Sequence, residues 1–372
     1  MNTKPSLLLM VVMLMFPQIV ETIYSPALGS IAKSFSVSDS QAAQTLSVYF
    51  LAFAIGVVVW GVMADKLGRR PTMIIGLFVY GCASLAAMQT QSFALVMIAR
   101  VFSAFGIAVG SVVTQTMLRD AFSGEELGKV FSLMGVGIAI SPVLGMLLGG
   151  QLTAIGGHHY VFMALFVMAL LLFLYNIFKL PETQKDSQRL QLGSLSVRML
   201  KDSHIWMSAL LVALYNIALF SYYQLGAFTF KELGFSSAQF GYSGIVLGLG
   251  TLLGSCLNKT LLSKQVSQRS LLWVSAVLLN IGAIGVYTLF DSIRFLAPML
   301  LVVMSFGIAI PNVLSVALVD YKQQAGSSGA LFGLLYYLLI GGGLALAGEI
   351  QNLGEVLVVC GVLIVLVMLS RR

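Results

Sequence analysis

Charged residues are scarce in this chain. Only 9% of its 372 residues are Asp, Glu, Lys or Arg, whereas 58% are hydrophobic, and an ordinary soluble domain carries about 25% charged residues. So little charge cannot cover the surface of a water-soluble domain, which excludes a soluble enzyme or binding module. The composition indicates an integral membrane protein.

Cysteine and histidine are also too few for a covalent or metal framework. Cys82, Cys256 and Cys360 each lie inside an apolar run, which matches neither a disulfide pattern nor a metal-binding spacing. The histidines fall in two short loops, so no metal site is expected. No cluster of nucleophile and base suggests an enzyme, and no Gly-x-x-x-x-Gly-Lys-Ser/Thr sequence suggests an ATP-driven pump.

Apolar runs of spanning length recur along the chain and predict twelve transmembrane helices. The first run continues past Glu21 and Pro26, so we interpret it as an uncleaved span rather than a signal peptide. The predicted spans are Leu7–Ile31, Ala42–Ala64, Pro71–Met88, Phe93–Met117, Gly128–Thr153, Tyr160–Lys179, Ile205–Phe230, Phe240–Leu262, Ser270–Phe290, Leu296–Val319, Gly326–Ala347 and Gly354–Leu369. Twelve such helices use about 240 residues, which leaves short loops and no room for a soluble catalytic or nucleotide-binding domain.

The few basic residues are distributed unevenly over the predicted loops. With the N-terminus inside the cell, 17 of the 21 Lys and Arg residues lie in inner segments and 3 lie in outer loops. Basic residues concentrate on the cytoplasmic side of membrane proteins, so both termini are predicted to be cytoplasmic. Topology thus explains the net charge of +7, and nucleic acid is not an expected partner.

A polar segment near the middle divides the spans into two sets of six. It predicts an N-terminal six-helix bundle at residues 1–180, a cytoplasmic linker at residues 181–204 and a C-terminal six-helix bundle at residues 205–372. The short sequence Phe105–Ala108 recurs as Phe306–Ala309, at the separation that two related halves would give. Related halves suggest a substrate site near the bilayer midplane and transport by alternating access.

The segment between the second and third predicted spans combines charge and glycine in one pattern, Gly61-x-x-x-Asp65-x-x-Gly68-Arg69-Arg70. We expect Gly61 to let a neighbouring helix approach closely, Asp65 to accept hydrogen bonds from the bases, and Gly68 to permit a sharp reversal. Pro71 then starts the next helix. A loop that only obeys the positive-inside rule needs the bases but not the glycine and aspartate frame.

This loop resembles the signature between the second and third spans of the major facilitator superfamily. The preceding residues, from Gln44 to Trp60, resemble the Bcr/CflA-type drug:proton antiporters of that superfamily, and the resemblance is densest in residues 22–150. It implies an all-α membrane protein of two pseudo-symmetric bundles in which the loop acts as a conformational switch. It also implies a monomeric exporter in a bacterial inner membrane, driven by the proton gradient without a cofactor.

Glu21 is the only acidic residue well inside a predicted span. An ionised carboxylate is costly in the bilayer, so such an acid is a candidate for binding and releasing a proton. The alternative is a polar cavity residue without proton traffic. The Bcr/CflA-type pattern has an acid at the position of Thr22 instead, and one residue on a helix is a rotation of about 100°. Glu21 is therefore expected to face a different neighbour.

Arg100 is the only basic residue well inside a predicted span, at a depth within about 5 Å of Glu21. Its position resembles the fourth-span signature of the superfamily, in which an Arg is linked to proton transfer, although Ser103 stands where the family often has Gln. The resemblance implies that Arg100 and Glu21 act together in proton coupling. The alternative is a structural Arg that extends to outer water.

The fifth predicted span is rich in glycine and contains one proline. It resembles the antiporter signature of drug:proton exchangers, with the candidate motif residues Gly137, Ser141, Pro142, Gly145 and Gly149. We expect Gly145-x-x-x-Gly149 to meet Gly250-x-x-x-Gly254 where the fifth and eighth spans join the halves. The alternative is generic helix packing.

Aromatic residues crowd the seventh span. With polar residues elsewhere they predict an apolar cavity suited to flat lipophilic or cationic ligands. The candidate cavity residues are Tyr24, Gln44, Tyr49, Tyr215, Tyr222, Asn312 and Tyr336. Phe228 and Phe230, near the end of the same span, are predicted to face lipid.

These observations favour a proton-coupled exporter of small lipophilic or cationic compounds, as the resemblance implies. Its expected partners are a small-molecule substrate, protons and the lipid bilayer. A dedicated exporter of one metabolite, such as a siderophore, sugar or amino-acid derivative, would keep the same fold and stays open at this stage. A membrane sensor or scaffold predicts long soluble appendages, for which the predicted loops leave no room.

Overall fold

The computed structural model describes residues 4–184 and 192–370, whose regular structure is all helical. Twelve long helices are numbered in chain order. They are α1 (Leu7–Ser34), α2 (Asp39–Leu67), α3 (Arg69–Gln89), α4 (Phe93–Ala121), α5 (residues 124–155), α6 (residues 158–179), α7 (Ser203–Glu232), α8 (Ser237–Ser263), α9 (Gln268–Thr288), α10 (Ile293–Tyr321), α11 (Ala325–Ile350) and α12 (Leu353–Ser370). A shorter helix, Leu192–Lys201, precedes α7 and is called the linker helix.

The helices α5 and α6 form one helical segment, Gly124–Lys179, that is interrupted at Gly156 and Gly157. Uninterrupted, it would be about 84 Å long, far more than one bilayer crossing. Gly157 has φ = +63°, a left-handed conformation that favours glycine. Gly137 and Asn176, on opposite sides of the interruption, both contact one stretch of α1, so the chain reverses between them. Eleven continuous apolar segments therefore form the twelve predicted spans.

Matching capping boxes begin α2 and α8, the second helix of each half. The amide of Gln41 donates to Ser38 Oγ at 3.1 Å, and the Ser38 amide donates back to Gln41 Oε1 at 3.0 Å. Ser236 and Gln239 repeat this arrangement at the start of α8. Each box satisfies two amide groups that a helix start otherwise leaves unpaired, so the two halves share a local start signal.

The helices pack as two bundles, α1–α6 and α7–α12, which meet where α2 lies along α11 and where α5 lies along α8. The backbones approach each other closely at Gly150 and Gly241, where a Cβ added to Gly150 would lie 2.8 Å from the Gly241 Cα. The predicted linker at residues 181–204 includes residues 185–191, which lie outside the described part of the chain. Its boundaries stay a prediction.

We call the end of the molecule that carries the Gly61–Arg70 loop the motif end. Because the spans alternate in direction, α1, α7 and α11 run away from the motif end and α2 runs toward it. The hydrogen bonds that link the two bundles cluster at the opposite end. They join Gln44 to Ala345 O and to Glu349, Gln224 to Ala43 O and Ser47, Gln151 to Tyr242, and Ser25 to Tyr223 O. The structure is therefore closed at that end.

The prediction that two GxxxG pairs join α5 to α8 is wrong. Gly145 and Gly149 face α1, within their own bundle, and a Cβ added to Gly149 would overlap the α1 backbone. Gly250 and Gly254 face α10 in the other bundle. A glycine row lies on one face of its helix and serves one neighbour, and for both rows that neighbour is inside the bundle.

The prediction that Phe228 and Phe230 face lipid is also wrong. Both are buried, and the ring of Phe230 packs against the rings of Phe235, Phe240 and Phe295 with centroids 5.0–6.0 Å apart. The helix α7 packs against α10, α11 and α12 and touches α1 of the other bundle, so it has little lipid-facing surface.

Candidate substrate and proton site

Glu21 lies at the centre of the molecule, where the bundles meet, and only 3% of its surface is exposed. Its carboxyl interacts electrostatically with Arg100 and Tyr49 of its own bundle. It also interacts with Tyr223, Tyr336 and Tyr337 of the other bundle. One buried acid thus acts on side chains of both bundles.

Arg100 is buried beside this acid, with 2% of its surface exposed. Its guanidinium carbon lies 3.9 Å from the ring centroid of Tyr24 and 4.5 Å from that of Tyr49. Desolvated contacts of this kind contribute about 2 kcal/mol each. The alternative that Arg100 extends to outer water is therefore wrong, because the side chain is held between two aromatic rings.

The neighbouring residue Thr22 faces a different direction from Glu21. Its hydroxyl donates to Gln18 O at 2.8 Å and lies over Gly145, where a Cβ would overlap it. The rotation of about 100° between adjacent helix positions thus turns Thr22 and Glu21 toward different neighbours. Thr22 closes the contact between α1 and α5, and Glu21 faces the space between the bundles.

The predicted antiporter motif forms the surface of α5 on which α1 packs. A Cβ added to Gly137 would lie 2.9 Å from Val11 Cγ1, and Gly145 and Gly149 continue the same face. Ser141 is buried and donates to the Gly137 carbonyl at 2.7 Å, while Pro142 lies inside the helix. The motif therefore sets how closely α5 approaches the helix that carries Glu21.

Three of the predicted cavity residues lie near Glu21. Tyr24 and Tyr49 hold Arg100, as described above, and Tyr336 lies on the facing side in α11. The Tyr336 ring contacts Tyr337 at 4.5 Å and Phe332 at 5.5 Å between centroids. Gln44 instead belongs to the closed end, where its Nε2 donates to Ala345 O at 2.9 Å and to Glu349 Oε1 at 3.0 Å.

The other three predicted cavity residues form hydrogen bonds inside the C-terminal bundle, and their assignment to the cavity stays a prediction. The Tyr215 hydroxyl bonds Ser275 Oγ at 2.7 Å, and that of Tyr222 donates to Ser243 Oγ at 2.5 Å. Asn312 donates to Asn258 Oδ1 at 2.7 Å. Tyr215 and Tyr222 share one face of α7, as their spacing predicts, but that face is turned toward the bundle core.

Sequence reasoning missed two residues of α7 that face the other bundle. Tyr223, one position after Tyr222, interacts with Glu21. Gln224 is fully buried and donates to Ala43 O at 3.0 Å, Ser47 Oγ at 3.2 Å and Leu344 O at 2.9 Å. A Gln in the middle of an apolar helix was a usable signal, because a buried amide needs partners.

The Gly61–Arg70 loop is fixed by ion pairs within the N-terminal bundle. Arg69 Nη1 lies 2.7 Å from Asp65 Oδ1, and Arg69 Nε lies 2.9 Å from Asp120 Oδ2. Arg69 is itself buried, and Arg70 Nη2 donates to Ile177 O at 2.6 Å. Asp65 thus accepts a bond from a base of the loop, as expected, and the network ties the ends of α2, α3, α4 and α6 together.

Glu182 completes this network and was not predicted to take part. Its carboxylate accepts from the amides of Arg69 and Arg70 at 3.1 and 3.0 Å, at the start of α3. An anion is favoured at a helix N-terminus, where amide groups are unpaired. Gly68 has φ = +99°, and a Cβ there would lie 2.7 Å from Glu182 Oε2. The turn therefore requires glycine for its conformation and for the approach of Glu182.

The expected role of Gly61 is wrong. The atom nearest to a Cβ added there is Val112 Cγ1 at 3.8 Å, which is ordinary contact. The close approach of α2 to α4 occurs at Gly56, where an added Cβ would lie 2.8 Å from Phe105 O. The helix α3 also begins at Arg69 rather than Pro71, since Glu182 pairs the amides of its first two residues.

Two six-helix bundles around a buried acid and an aromatic cluster define a class: a polytopic helical transporter. Within the described residues, no three His, Cys, Asp or Glu side chains are grouped to hold a metal ion. The expectation of no cofactor stays a prediction.

Comparison with known proteins identifies the family. Residues 10–346 match the Major Facilitator Superfamily, and the chain belongs to that superfamily of transporters, which are not enzymes. It is 30% identical over 339 residues to an "Uncharacterized transporter" of Rickettsia bellii (strain RML369-C), covering 87% of this chain and 84% of the relative. It is 25% identical over 369 residues to the bicyclomycin resistance protein homolog of Haemophilus influenzae, covering 96% and 92%. A solved D-xylose-proton symporter superposes with a TM-score of 0.74 at 17% identity and 96% coverage of each chain, a likeness that concerns the fold.

Proposed function

We propose that this transporter is a proton-coupled exporter of small lipophilic or cationic compounds. The observation that carries the proposal is the position of Glu21, a buried acid that interacts with Arg100 and with tyrosines of both bundles. The similarity to a relative named for bicyclomycin resistance supports export.

In this proposal, proton and substrate compete for Glu21. When protonated, the side chain is neutral and coexists with apolar surroundings. When ionised, it attracts a cation, which the rings of Tyr49, Tyr336 and Tyr337 also favour. Since these rings belong to different bundles, the charge on Glu21 biases how the bundles sit against each other, and alternating access follows from their rocking.

We further propose that the ion pairs of the Gly61–Arg70 loop make it a conformational switch. Asp65, Arg69 and Asp120 join three helix ends at the motif end, so these helices move as a unit. We propose that the motif end and both termini lie in the cytoplasm of a bacterial cell, and that a single chain suffices for transport. The closed opposite end then makes this an inward-facing state.

Transport by purified protein in liposomes tests the proposal. An acidic lumen should drive uptake of tetraphenylphosphonium, a lipophilic cation, in exchange for protons. Glu21→Gln should abolish the part of this uptake that the pH gradient drives. Glu232→Gln, at an exposed acid at the end of α7, should leave that uptake intact. Full coupling in Glu21→Gln would refute the assignment of the proton site.

The choice of substrates separates the proposal from its alternative. Neutral antibiotics and polar metabolites are supplied in parallel with the cation. Gradient-driven uptake of several unrelated compounds supports a multidrug exporter. Uptake of one polar metabolite alone would replace it with a dedicated exporter of that metabolite.

A further inference from the structure

A small cavity lies inside the N-terminal bundle, beside Arg100. It is bounded by α3, α4 and α6 and is called the Arg100 cavity. Its lining includes Tyr80, Ser84, Arg100 and Ser103, and apolar residues complete the wall. Its volume of about 10 Å³ is that of roughly one water molecule.

Some of the polar groups around the Arg100 cavity lack hydrogen-bond partners. The Nε and Nη2 atoms of Arg100 and the hydroxyl of Tyr80 are buried and have no hydrogen-bond partner. Ser103 Oγ already donates to the Arg100 carbonyl at 3.0 Å. The Ser84 hydroxyl lies beside that of Tyr80, which also interacts with Arg100.

Arg100 has no acidic partner within ion-pair distance in the described part of the chain. The rings of Tyr24 and Tyr49 lie near its guanidinium carbon, but the hydroxyls of these two tyrosines accept no hydrogen bond from it. An unpaired N–H buried in protein costs about 1–3 kcal/mol, and more when it is charged. An acceptor that also bonds hydroxyl groups would relieve this cost.

We propose that the Arg100 cavity is a hydration site in which one water molecule bridges Arg100 to the hydroxyls of Tyr80 and Ser84. A water needs two to four polar partners and about this volume, and the cavity supplies both. Tyr80 and Ser84 are then positioning residues, which hold the guanidinium on the α3 side and away from Glu21. This last step rests on the proposed proton coupling through Glu21, whereas the hydration site itself does not.

A pair of substitutions at Ser84 tests hydration without measuring transport. Ser84→Thr and Ser84→Val add the same bulk and the same β-branching, and they differ only in the hydroxyl. If the cavity holds water, Val removes one of the three partners of that water, so the melting temperature in detergent should fall below that of Thr. The comparison is repeated in a Tyr80→Phe background, which removes any direct bond between the hydroxyls of Ser84 and Tyr80. If the cavity is dry, Val should there equal or exceed Thr, because a buried hydroxyl without a partner is unfavourable. That result would overturn the proposal.

The pH profile of liposome uptake tests the positioning role. In Tyr80→Phe and Ser84→Val, Arg100 turns toward Glu21 to satisfy its donors, so the pH midpoint of uptake should move down while Ser84→Thr keeps the wild-type profile. An unchanged midpoint in Tyr80→Phe and Ser84→Val would refute the positioning role.

A change of anion tests whether the cavity holds water or a halide ion. Uptake by the wild-type protein in sodium gluconate should equal its uptake in sodium chloride. A chloride effect that Ser84→Val abolishes would replace water by a halide ion. If uptake proves independent of the proton gradient, the proposed function fails while the melting comparison still decides hydration.

Discussion

Gln224 is the side chain through which α7 holds the end opposite the motif closed. Two of its three hydrogen bonds cross between the bundles, to Ala43 O at 3.0 Å and Ser47 Oγ at 3.2 Å. The third, to Leu344 O, stays within the C-terminal bundle. Opening of this end must break the first two bonds but not the third, so Gln224→Met changes the balance between the closed and open states.

The size of this change follows from the two bonds. The amide nitrogen has two N–H groups for three acceptors, so the two cross-bundle contacts count as between one and two hydrogen bonds of about 1 kcal/mol each. Their loss favours opening by at most about 2 kcal/mol, or about 30-fold. If one molecule in a hundred is open in the wild type, about one in four would be open in the variant. Exposure of the apolar methionine on opening opposes the effect, which makes 30-fold an upper value.

Spin labels report the change directly. They are placed at Lys33 and Lys231, exposed residues near the closed end, one in each bundle, after the exposed Cys82 and Cys256 are replaced. The distance distribution in Gln224→Met should gain a longer component. Gln268→Met is the matched control, because Gln268 bonds Ser315 inside one bundle and should leave the distribution unchanged. An unchanged distribution in Gln224→Met would show that these bonds do not hold the end closed.

Three further predictions concern the motif end and the seam between α1 and α5. Glu182→Ala should lower the stability in detergent by about 1–3 kcal/mol, because the amides at the start of α3 lose a charged acceptor; an unchanged melting temperature would contradict this. Gly149→Val should abolish gradient-driven uptake by forcing α1 away from α5, whereas Gly128→Val, with open space at its Cβ, should not; equal rates would refute the argument. Burial raises the pKa of Asp202, but bonds from the Tyr321 hydroxyl and from backbone amides outweigh it and lower that pKa below its usual 3.8. The stabilisation is therefore fully present above about pH 3.8 and is lost as the pH falls through the lowered pKa, so Tyr321→Phe should lower the melting temperature more at pH 7 than at strongly acidic pH.

The fold was predictable because its main signals are local. Hydropathy locates each span, and the capping sequences that begin at Ser38 and Ser236 mark two helix starts. The start of α3 was displaced because its first two amides bind Glu182, more than a hundred residues away. No local pattern around Pro71 contains that partner.

The candidate site was only partly predictable, because helix spacing does not indicate which face of a helix meets which neighbour. Tyr215 and Tyr222 share a face, as their spacing requires, but only the packed structure shows that this face meets α8 and α9. Tyr223 is one position away and faces Glu21. The glycines of α5 had the same ambiguity, since a close-packing face fits α1 and α8 equally well from sequence alone.

The acid lies one residue earlier, at Glu21, than the Bcr/CflA-type pattern has it, at the position of Thr22, and this displacement matters for the proposed proton coupling. An acid at position 22 would lie in the seam between α1 and α5, over Gly145, within one bundle. At position 21 it acts on Tyr49 of its own bundle and on Tyr223 and Tyr336 of the other. A proton bound within one bundle changes that bundle alone, whereas a proton bound between the bundles changes the free energy of their contact. The position of Glu21 therefore suits an acid whose protonation drives the rocking motion.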